Sequence, residues 1–222
     1  MLHKVRGVVF RFTKYGESSI IITIFTDSFG LQSYIINGAR SRSTKSRMAL
    51  YQPLTLLELV VYHRENANIN RIKEVKCVHP YSTLHLDVTK SSIAIFINEV
   101  INKTIKEESH ASGLCEFLFS SLITLDSIPG PVQNFHLMFM LKLSRFLGFG
   151  AQNVNEVLGG RITDPSIEEI IMQMLRADYL TPILITTVQR RELLDLLIGF
   201  YNEHSGSLQN VKSLQVLREI LT

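Results

Sequence analysis

The chain has no tryptophan and only two cysteines among its 222 residues. Cys77 and Cys115 lie far apart and belong to no Cys-x-x-Cys pair, so they indicate no disulfide framework. Sparse, unpaired cysteines are typical of proteins from a reducing compartment. The absence of tryptophan also weakens, without excluding, any nucleic-acid surface that depends on base stacking.

Long apolar runs are missing as well. No uncharged apolar stretch approaches the roughly 20 residues that span a bilayer. Lys4, Arg6, Arg11 and Lys14 precede any long apolar run, which is unlike a signal peptide or a membrane anchor. The composition, with 45% hydrophobic and 19% charged residues, is that of a globular chain. We therefore expect a soluble, cytoplasmic protein.

The motifs of common enzyme classes are absent. Gly159-Gly160 is followed by Arg161 and lacks the Lys-Ser/Thr of a phosphate-binding loop, and neither His-Glu-x-x-His nor Gly-x-Ser-x-Gly occurs. Cys77-Val78-His79 offers two metal ligands where a site needs more. Glu107-Glu108 and Glu168-Glu169 are adjacent pairs, which point to different helix faces. We predict a protein that is not an enzyme and needs neither a metal nor a cofactor.

Two histidines lie in helical patterns. His136 belongs to a segment that is apolar nearly all round, which predicts a hydrogen-bonded core histidine. His204 precedes Ser205-Gly206, so we interpret it as a cation or cap at a helix C-terminus.

The positive charge is concentrated in the first third of the chain. Residues 1–80 hold 12 Lys+Arg against 5 Asp+Glu, whereas the remainder holds 11 against 15. No acidic residue occurs between Asp27 and Glu58, and the middle of this gap is the decamer 38–47. It begins with Gly38 and carries four cations separated by small residues: Arg40, Arg42, Lys45 and Arg47. This composition predicts an exposed loop that either contacts phosphates or is simply solvated.

Other cations and aromatics extend the candidate nucleic-acid surface. The cations are Arg6, Arg11 and Lys14 on the first hairpin and Arg71 and Lys73 on the last strand. Alternation predicts that Arg71 and Lys73 share one strand face. Four tyrosines are candidates either for base stacking or for half-buried strand positions: Tyr15, Tyr34, Tyr51 and Tyr62.

The first 80 residues read as five short strands with turn signals between them. The predicted strands are Val5 to Phe12, Ser18 to Phe25, Leu31 to Ile36, Leu54 to Tyr62 and Ile69 to Val78. Five strands in about 80 residues are the size of an OB-fold, a five-stranded barrel that binds oligonucleotides.

Beyond Pro80 the hydrophobic period changes from 2 to 3.6, which predicts helices. Asp164-Pro165 opens one of them, and Ser166 with Glu169 has the spacing of a capping box. The sequence therefore predicts a two-domain α+β protein. Residues 1–80 form a nucleic-acid-binding OB-fold, and residues 81–222 form an all-α helical domain without zinc-binding cysteines.

An ordered set of short motifs resembles the RecO family of bacterial recombination mediators. The N-terminal motifs are Gly16-Glu17-Ser18-Ser19, Phe25-Thr26, Gly30, Asn37-Gly38-Ala39-Arg40-Ser41 and Tyr51-Gln52-Pro53-Leu54. The later ones are Phe96-Ile97-Asn98-Glu99-Val100, Phe200-Tyr201 with His204, and Lys212-Ser213-Leu214. None of them is specific alone, but their order spans the chain.

The resemblance implies an N-terminal OB-fold and a helical C-terminal domain. It implies a DNA repair function: binding of single- and double-stranded DNA, annealing of complementary strands, and help in loading RecA onto DNA covered by single-strand-binding protein. The implied partners are RecR and the acidic C-terminal tail of single-strand-binding protein, for which Lys142 and Arg145 are candidate contacts. Many relatives hold zinc with four cysteines, whereas residues 150–164 have none here, so zinc is not expected and packing must replace it.

Two other functions remain open at this stage. A protein–protein adaptor would act through the helical domain and leave the basic loop solvated. A nuclease would need a cluster of carboxylates that the sequence does not offer.

Overall fold

The computed structural model describes residues 1–38, 48–64, 67–106 and 111–221. Two compact units form it. The barrel unit comprises Met1–Tyr81 and Lys106–Ile123, and the helical unit comprises Ser82–Ile105 and Thr124–Thr222. Among the described residues, no helix combines the length and apolar character needed to cross a membrane.

The barrel unit contains the five predicted strands. They are β1 (Leu2–Tyr15), β2 (Ser19–Thr26), β3 (Gly30–Ile36), β4 (Leu56–Tyr62) and β5 (Asn70–Cys77), with a short 3-10 helix at Ala49–Tyr51 before β4. They close in the order β1-β2-β3-β5-β4, in which only β3 and β5 run parallel. This is the OB-fold, so the predicted fold is confirmed.

Alternation along the strands fills the barrel. Every second residue of β2 and β4 points inward, so that the core is rich in β-branched and leucine side chains. The buried core comprises Val5, Val9, Ile20, Ile22, Ile24, Tyr34, Tyr51, Leu57, Leu59 and Val61. Position 7 on β1 requires a glycine, because a Cβ there would lie 2.5 Å from Ile24 Cγ2. A larger residue at this position would push β1 away from β2.

The outer side of β1 and β2 is buried where a helix covers it. Phe10 and Phe25 stack with ring centroids 5.8 Å apart, and both are buried. Helix α2 (Ala111–Ser127) brings Cys115 Sγ to 3.9 Å from the carbonyl oxygen of Phe25. Burial raises the pKa of Cys115 to about 12, so this thiol is not poised as a nucleophile.

The turn before β4 contains a strained residue. Leu54 has a φ of 67°, and among the described residues it is the one non-glycine with a positive φ. Its N–H donates to Val9 O at 2.7 Å, and its carbonyl accepts from the Tyr81 hydroxyl at 2.7 Å. These bonds hold a conformation that costs on the order of 1–3 kcal/mol.

The remaining helices belong to the helical unit. They are α1 (Val88–Thr104), α3 (Phe135–Phe146), α4 (Val154–Leu158), α5 (Pro165–Arg176), α6 (Thr187–Ser205) and α7 (Leu214–Ile220). The capping box predicted at Ser166 is wrong, because Asp164 caps α5 by accepting from Ser166 N at 2.8 Å. A capping box instead begins α6, where Thr186 and Gln189 bond reciprocally.

Within the helical unit, which includes the last residues of α2 from Thr124 onward, the buried carboxylate of Asp126 binds the first residues of the unit. The Asp126 side chain accepts from the backbone N–H groups of Ser82, Thr83 and Leu84, at 2.8 Å for the last two. Lys90, only 4% exposed, donates through Nζ to the Asp126 carbonyl oxygen at 2.8 Å and to the Ile128 carbonyl oxygen at 2.8 Å. The Asp126 carboxylate and the Lys90 ammonium group are therefore hydrogen-bonded, as buried charged groups must be.

Two distant motifs meet at the end of the unit. The Glu99 carboxylate on α1 accepts from Lys212 N and Ser213 N at 2.8 Å each, and from Ser213 Oγ at 2.7 Å. Partial burial opposes ionisation of Glu99, but these hydrogen bonds and the charge of Lys103 outweigh it, so the pKa of Glu99 is lowered. The carboxylate thus fixes the segment that leads into α7.

The closing aromatic motif packs around Phe149. The Tyr201 hydroxyl donates to Met140 O at 2.7 Å, and the Phe149 ring meets the rings of Tyr201 and His204 at 5.0 and 5.2 Å. His204 lies in the last turn of α6, as predicted, and the left-handed cap there is Gly206.

His136 is a core residue but lacks the hydrogen bonds predicted for it. The residue is fully buried, edge-on to Phe96 at 5.9 Å, and neither ring nitrogen reaches a hydrogen-bond partner among the described residues. Burial above all, and then the charge of Arg190, lower the pKa of His136 to about 3 against a smaller opposing effect of the Gln133 backbone. The ring is therefore neutral in the folded protein.

Asp126→Ala should destabilise the helical unit by about 3 kcal/mol, because three backbone N–H groups lose a buried, charged acceptor. Denaturant unfolding followed by circular dichroism measures this effect. Asp195→Ala is the matched control: its carboxylate is 58% exposed and pairs with Arg218 at the surface, so its loss should cost less than about 1 kcal/mol. Equal effects of the two substitutions would contradict the role given to Asp126.

His136→Phe should reduce the loss of stability between pH 6.5 and pH 4. Because the folded pKa of His136 is about 3, below the 6.5 of the unfolded chain, the unfolded state binds the proton first and stability falls as the pH decreases through this window. Unfolding free energies measured across the window should show a shallower slope for the variant. Ile162→Ala, at a fully exposed position without a titratable group, should keep the wild-type slope.

Candidate nucleic-acid interface

A groove opens where the parallel pairing of the barrel ends. Strands β3 and β5 pair only through Tyr34 with Asn70 and Ile35 with Arg71. The groove that follows has a volume of about 720 Å³. Its polar lining residues are Asn37, Glu58, Arg71, Lys73, Glu74 and Lys76, and its apolar ones are Ile35, Ile36, Leu50, Tyr51, Leu59, Val60, Ile72 and Val75. Its charged rim combines three cations with two carboxylates.

The strand register builds a continuous outer row beside this groove. Residues paired across neighbouring strands point to the same face. The row runs over five strands through Thr13, Ile21, Ile35, Arg71 and Tyr62. A second row places Arg11 beside Thr23. Arg11 and Arg71, both exposed, therefore share the outer surface of the sheet.

Arg6 is paired with the carboxylates of Glu116 and Asp27. Its guanidinium donates to the Glu116 carboxylate at 2.8 Å, lies 3.7 Å from that of Asp27, and is 5.4 Å from the centroid of the Phe119 ring. The hydrogen bond with Glu116 and the charges of both carboxylates raise the pKa of Arg6 against the effect of partial burial. This arrangement holds α2 on the barrel and leaves little net charge at Arg6 for a polyanion.

Lys14 and Lys73, two further predicted cations on the strands, are exposed. Lys14 pairs with Ile20 near the end of the first hairpin. Lys73 lies opposite a register shift between Val60 and Val61. The shift interrupts the strict alternation of β5, which was the basis for predicting that Arg71 and Lys73 share one strand face. It still lines the groove and pairs with Glu74 at 3.5 Å. Lys76, which lines the same groove, is a cation that alternation alone did not single out.

Residues on both sides of the basic loop line the groove. Gly38 follows Asn37, which lines the groove, and its φ of 67° suits glycine. On the far side of the loop, Leu50 lines the same groove. The four loop cations lie outside the described residues: Arg40, Arg42, Lys45 and Arg47.

Burial separates the four candidate tyrosines. Tyr34 and Tyr51 are 0% and 3% exposed and belong to the core, so they have no face for a base. Burial also raises the pKa of Tyr34. Tyr15 and Tyr62 are 52% and 47% exposed and keep an accessible ring.

In the helical unit, Lys142 and Arg145 support the end of α5. Lys142 Nζ donates to Ala177 O at 3.0 Å, and Arg145 Nη2 donates to Leu175 O at 2.9 Å. Such cations complement the unpaired carbonyls of a helix C-terminus. Partial burial and the charge of Arg145 lower the pKa of Lys142, against the opposing charge of Asp178.

An apolar cleft of about 360 Å³ lies next to this support. Its lining is Ile128, Gly130, Pro131, Val132, Gln133, Asn134, Phe135, Met138, Met174, Tyr179, Leu180, Thr181, Pro182, Ile183, Leu184 and Ile185. Tyr179 stacks on Phe135 at 4.2 Å and lies 5.5 Å below Lys142 Nζ. Leu180 and Leu184, 72% and 94% exposed, leave apolar surface at the rim. An apolar cleft bordered by a cation suits an acidic peptide with an apolar end.

Residues 150–164 are organised by packing and by polar contacts. Val157 and Leu158 are buried, while Asn153 and Glu156 bond reciprocally at the start of α4. Arg161 forms an ion pair with Glu203 on α6. The Arg161 guanidinium passes over Gly199 of the same helix, where a Cβ would lie 2.5 Å from it. Within the described part of the chain, no three His, Cys, Asp or Glu side chains are arranged to hold a metal ion.

Comparison with known proteins shows similarity to the RecO family along the chain. The family model "Recombination protein O N terminal" matches residues 1–81, and "Recombination protein O C terminal" matches residues 85–169. The chain belongs to the RecO family. It is 32% identical to a protein named DNA repair protein RecO from Flavobacterium psychrophilum, over 99% of both chains. It is also 32% identical to that of Phocaeicola vulgatus over 100% of both, and 30% identical to that of Bacteroides fragilis over 99%.

These matches confirm the resemblance carried by the short motifs. The first matched region ends where the barrel strands end, and the second covers most of the helices up to α5. Family membership therefore extends to the barrel that carries the groove.

Proposed function

We propose that this RecO-family protein is a DNA-binding recombination mediator in DNA repair. It binds single- and double-stranded DNA, anneals complementary strands, and assists the loading of RecA onto DNA covered by single-strand-binding protein. It acts in the cytoplasm at the nucleoid, without catalysis of bond breaking. Family membership supports the repair role. The groove, which is lined by Asn37 before the basic loop and by Leu50 after it, is the observation that supports the DNA-binding role.

The DNA-binding surface combines the groove with the outer rows of the sheet. Its cations are Arg11, Lys14, Arg40, Arg42, Lys45, Arg47, Arg71, Lys73 and Lys76, with Gly38 at the entrance of the loop. Arg6 contributes less because Glu116 and Asp27 compensate its charge. The proposed division of labour gives residues 1–80 to DNA and residues 81–222 to protein partners.

Neutralisation of phosphates accounts for annealing without chemistry. Two complementary strands repel each other through their backbones, and a protein cation bound to each phosphate releases counterions and lowers that repulsion. Strands held on one basic surface also meet at a raised effective concentration. The protein partners are RecR and the acidic tail of single-strand-binding protein, and the tail is assigned to the apolar cleft beside Tyr179.

Removal of the four loop cations should weaken DNA binding and flatten its salt dependence. The variant is Arg40→Ala, Arg42→Ala, Lys45→Ala and Arg47→Ala. Each lost phosphate contact should lower the slope of log affinity against log salt by about 0.7 for single-stranded and about 0.9 for double-stranded DNA. Fluorescence anisotropy with labelled oligonucleotides at several salt concentrations measures both quantities.

Arg71→Ala with Lys73→Ala should lower the slope further by about 1 to 2. Arg176→Ala with Arg191→Ala, which removes two exposed cations of the helical unit, is the matched control and should leave the slope unchanged. Arg6→Ala should change stability more than DNA affinity. Unchanged affinity and slope in both barrel variants would reject this surface, and a wild-type chain that binds no oligonucleotide at moderate salt would favour a protein–protein adaptor.

The cleft assignment is tested with the tail peptide of single-strand-binding protein. Leu184→Glu and Lys142→Gln should each weaken peptide binding about tenfold or more, because one places an anion at the apolar rim and the other removes the neighbouring cation. Ile162→Glu introduces the same charge at a fully exposed apolar residue that does not line the cleft, and it should bind normally. Normal binding by Leu184→Glu as well would place the tail elsewhere.

A further inference from the structure

An exposed aromatic side chain ends β4 on the outer surface of the barrel. Tyr62 is 47% exposed, although its strand neighbours Leu59 and Val61 are buried. Across the sheet it pairs with Arg71 on β5 and with Leu2 on β1, and Leu2 is itself 49% exposed. An accessible ring between a guanidinium and an apolar side chain is the arrangement on which a flat, partly charged molecule stacks.

The ring borders a cavity of its own. This cavity has a volume of about 670 Å³ and is lined by Met1, Tyr62, His63, Arg64, Ala67, Ile69, Asn70 and Arg71. It falls in the range of about 300–1,000 Å³ that is typical of sites for small molecules. The described lining contributes two guanidinium groups and no carboxylate; Glu65, in the same turn, lies outside the described residues.

The base of this cavity is held in place without a ligand. Asn70, only 3% exposed, accepts from Arg64 N at 3.1 Å and donates to Gln32 Oε1 at 3.3 Å. His63, which also lines the cavity, stacks on Phe29 with ring centroids 3.8 Å apart. The two ends of the β4–β5 turn are therefore fixed in advance, so a ligand loses little free energy in ordering them.

We infer that Tyr62 is a stacking platform for one unpaired base of a nucleic acid, with Arg64 and Arg71 on the flanking phosphates. The inference rests on the proposed DNA binding and gives one part of that surface a preference for single strands. Bases inside a duplex are stacked on both faces and offer none to the ring, whereas an unpaired base does. Duplex DNA can use the cations here but not the tyrosine.

Three substitutions at Tyr62 test the platform. Tyr62→Ala should weaken binding of an oligothymidylate of about 16 nucleotides by about 5- to 150-fold, the range expected for loss of one base–ring contact, and should change duplex affinity less than twofold. Tyr62→Phe keeps the ring and should bind like the wild type. Tyr62→Leu keeps apolar bulk without the ring and should resemble Tyr62→Ala. The salt slope should stay unchanged in all three, since no charge is lost.

The absence of tryptophan provides a second readout. Tyr62→Trp introduces the one tryptophan of the chain, so the indole fluorescence of this variant reports the platform position alone. Stacking of a base should quench it when oligothymidylate saturates the protein, and duplex DNA should quench it much less. This signal does not depend on any change in stability.

The outcomes separate this inference from the proposed function. If the wild type binds no oligonucleotide, DNA binding itself fails. If the wild type binds but Tyr62→Ala keeps its single-strand affinity, or the indole fluorescence of Tyr62→Trp does not change at saturation, the platform is rejected while DNA binding stands. Equal losses for single strands and duplex would also overturn it.

Discussion

The short parallel pairing of β3 with β5 is the constraint on which both the barrel and its candidate interface depend. Two residue pairs, Tyr34 with Asn70 and Ile35 with Arg71, close a sheet that is otherwise antiparallel. Closure removes the exposed strand edges. Because the pairing stops after Ile35, the groove follows there, and the basic loop leaves β3 beside it. The β3–β5 pairing that closes the barrel therefore also places Asn37, the groove residue that precedes the basic loop.

The carboxylates of the barrel divide its cations into two classes. Glu116 and Asp27 hold Arg6 against α2, and Glu58 pairs with Lys4 at 3.1 Å. These cations would have to give up a partner before they could bind a phosphate, so their net gain from DNA is small. Arg71 makes no ion pair within the described part of the chain, so it would bind a phosphate without that loss. Pairing therefore separates Arg6 and Lys4 from Arg71, and Lys73, which is 3.5 Å from Glu74, lies between the two classes.

Alternation and helical period predicted the elements because these patterns are local. The five strands, the main helices and the family relationship follow from residues close in sequence. The burial of Phe10 and Phe25 on the outer side of the barrel could not be predicted in this way, because α2 covers them from about 90 residues away. The cap of α5 was misassigned because Asp164 and Ser166 both fit the pattern, and only the backbone conformation selects between them.

The candidate site was harder to predict than the fold for the same reason. The cations were visible in the sequence, but their partners were not: Arg6 and Glu116 are 110 residues apart. Buried Tyr34 and exposed Tyr62 look alike in a strand pattern, since exposure depends on which neighbour covers the outer face. Glu99 and Ser213 are 114 residues apart, and their hydrogen bonds bring together two of the short motifs quoted in the sequence analysis.

A single stacking platform is compatible with annealing, whereas a row of platforms would oppose it. Each base held on an aromatic ring contributes about 1–3 kcal/mol and is withdrawn from pairing. Each step of duplex formation gains about 1.4 kcal/mol on average. Under the proposed function, one base anchored at Tyr62 would be outweighed by two or three new base pairs, while the cations of the groove would hold the backbone of the product. A barrel with one stacking tyrosine and no tryptophan suits the proposed annealing, in which a strand is oriented by its backbone and its bases are free to pair.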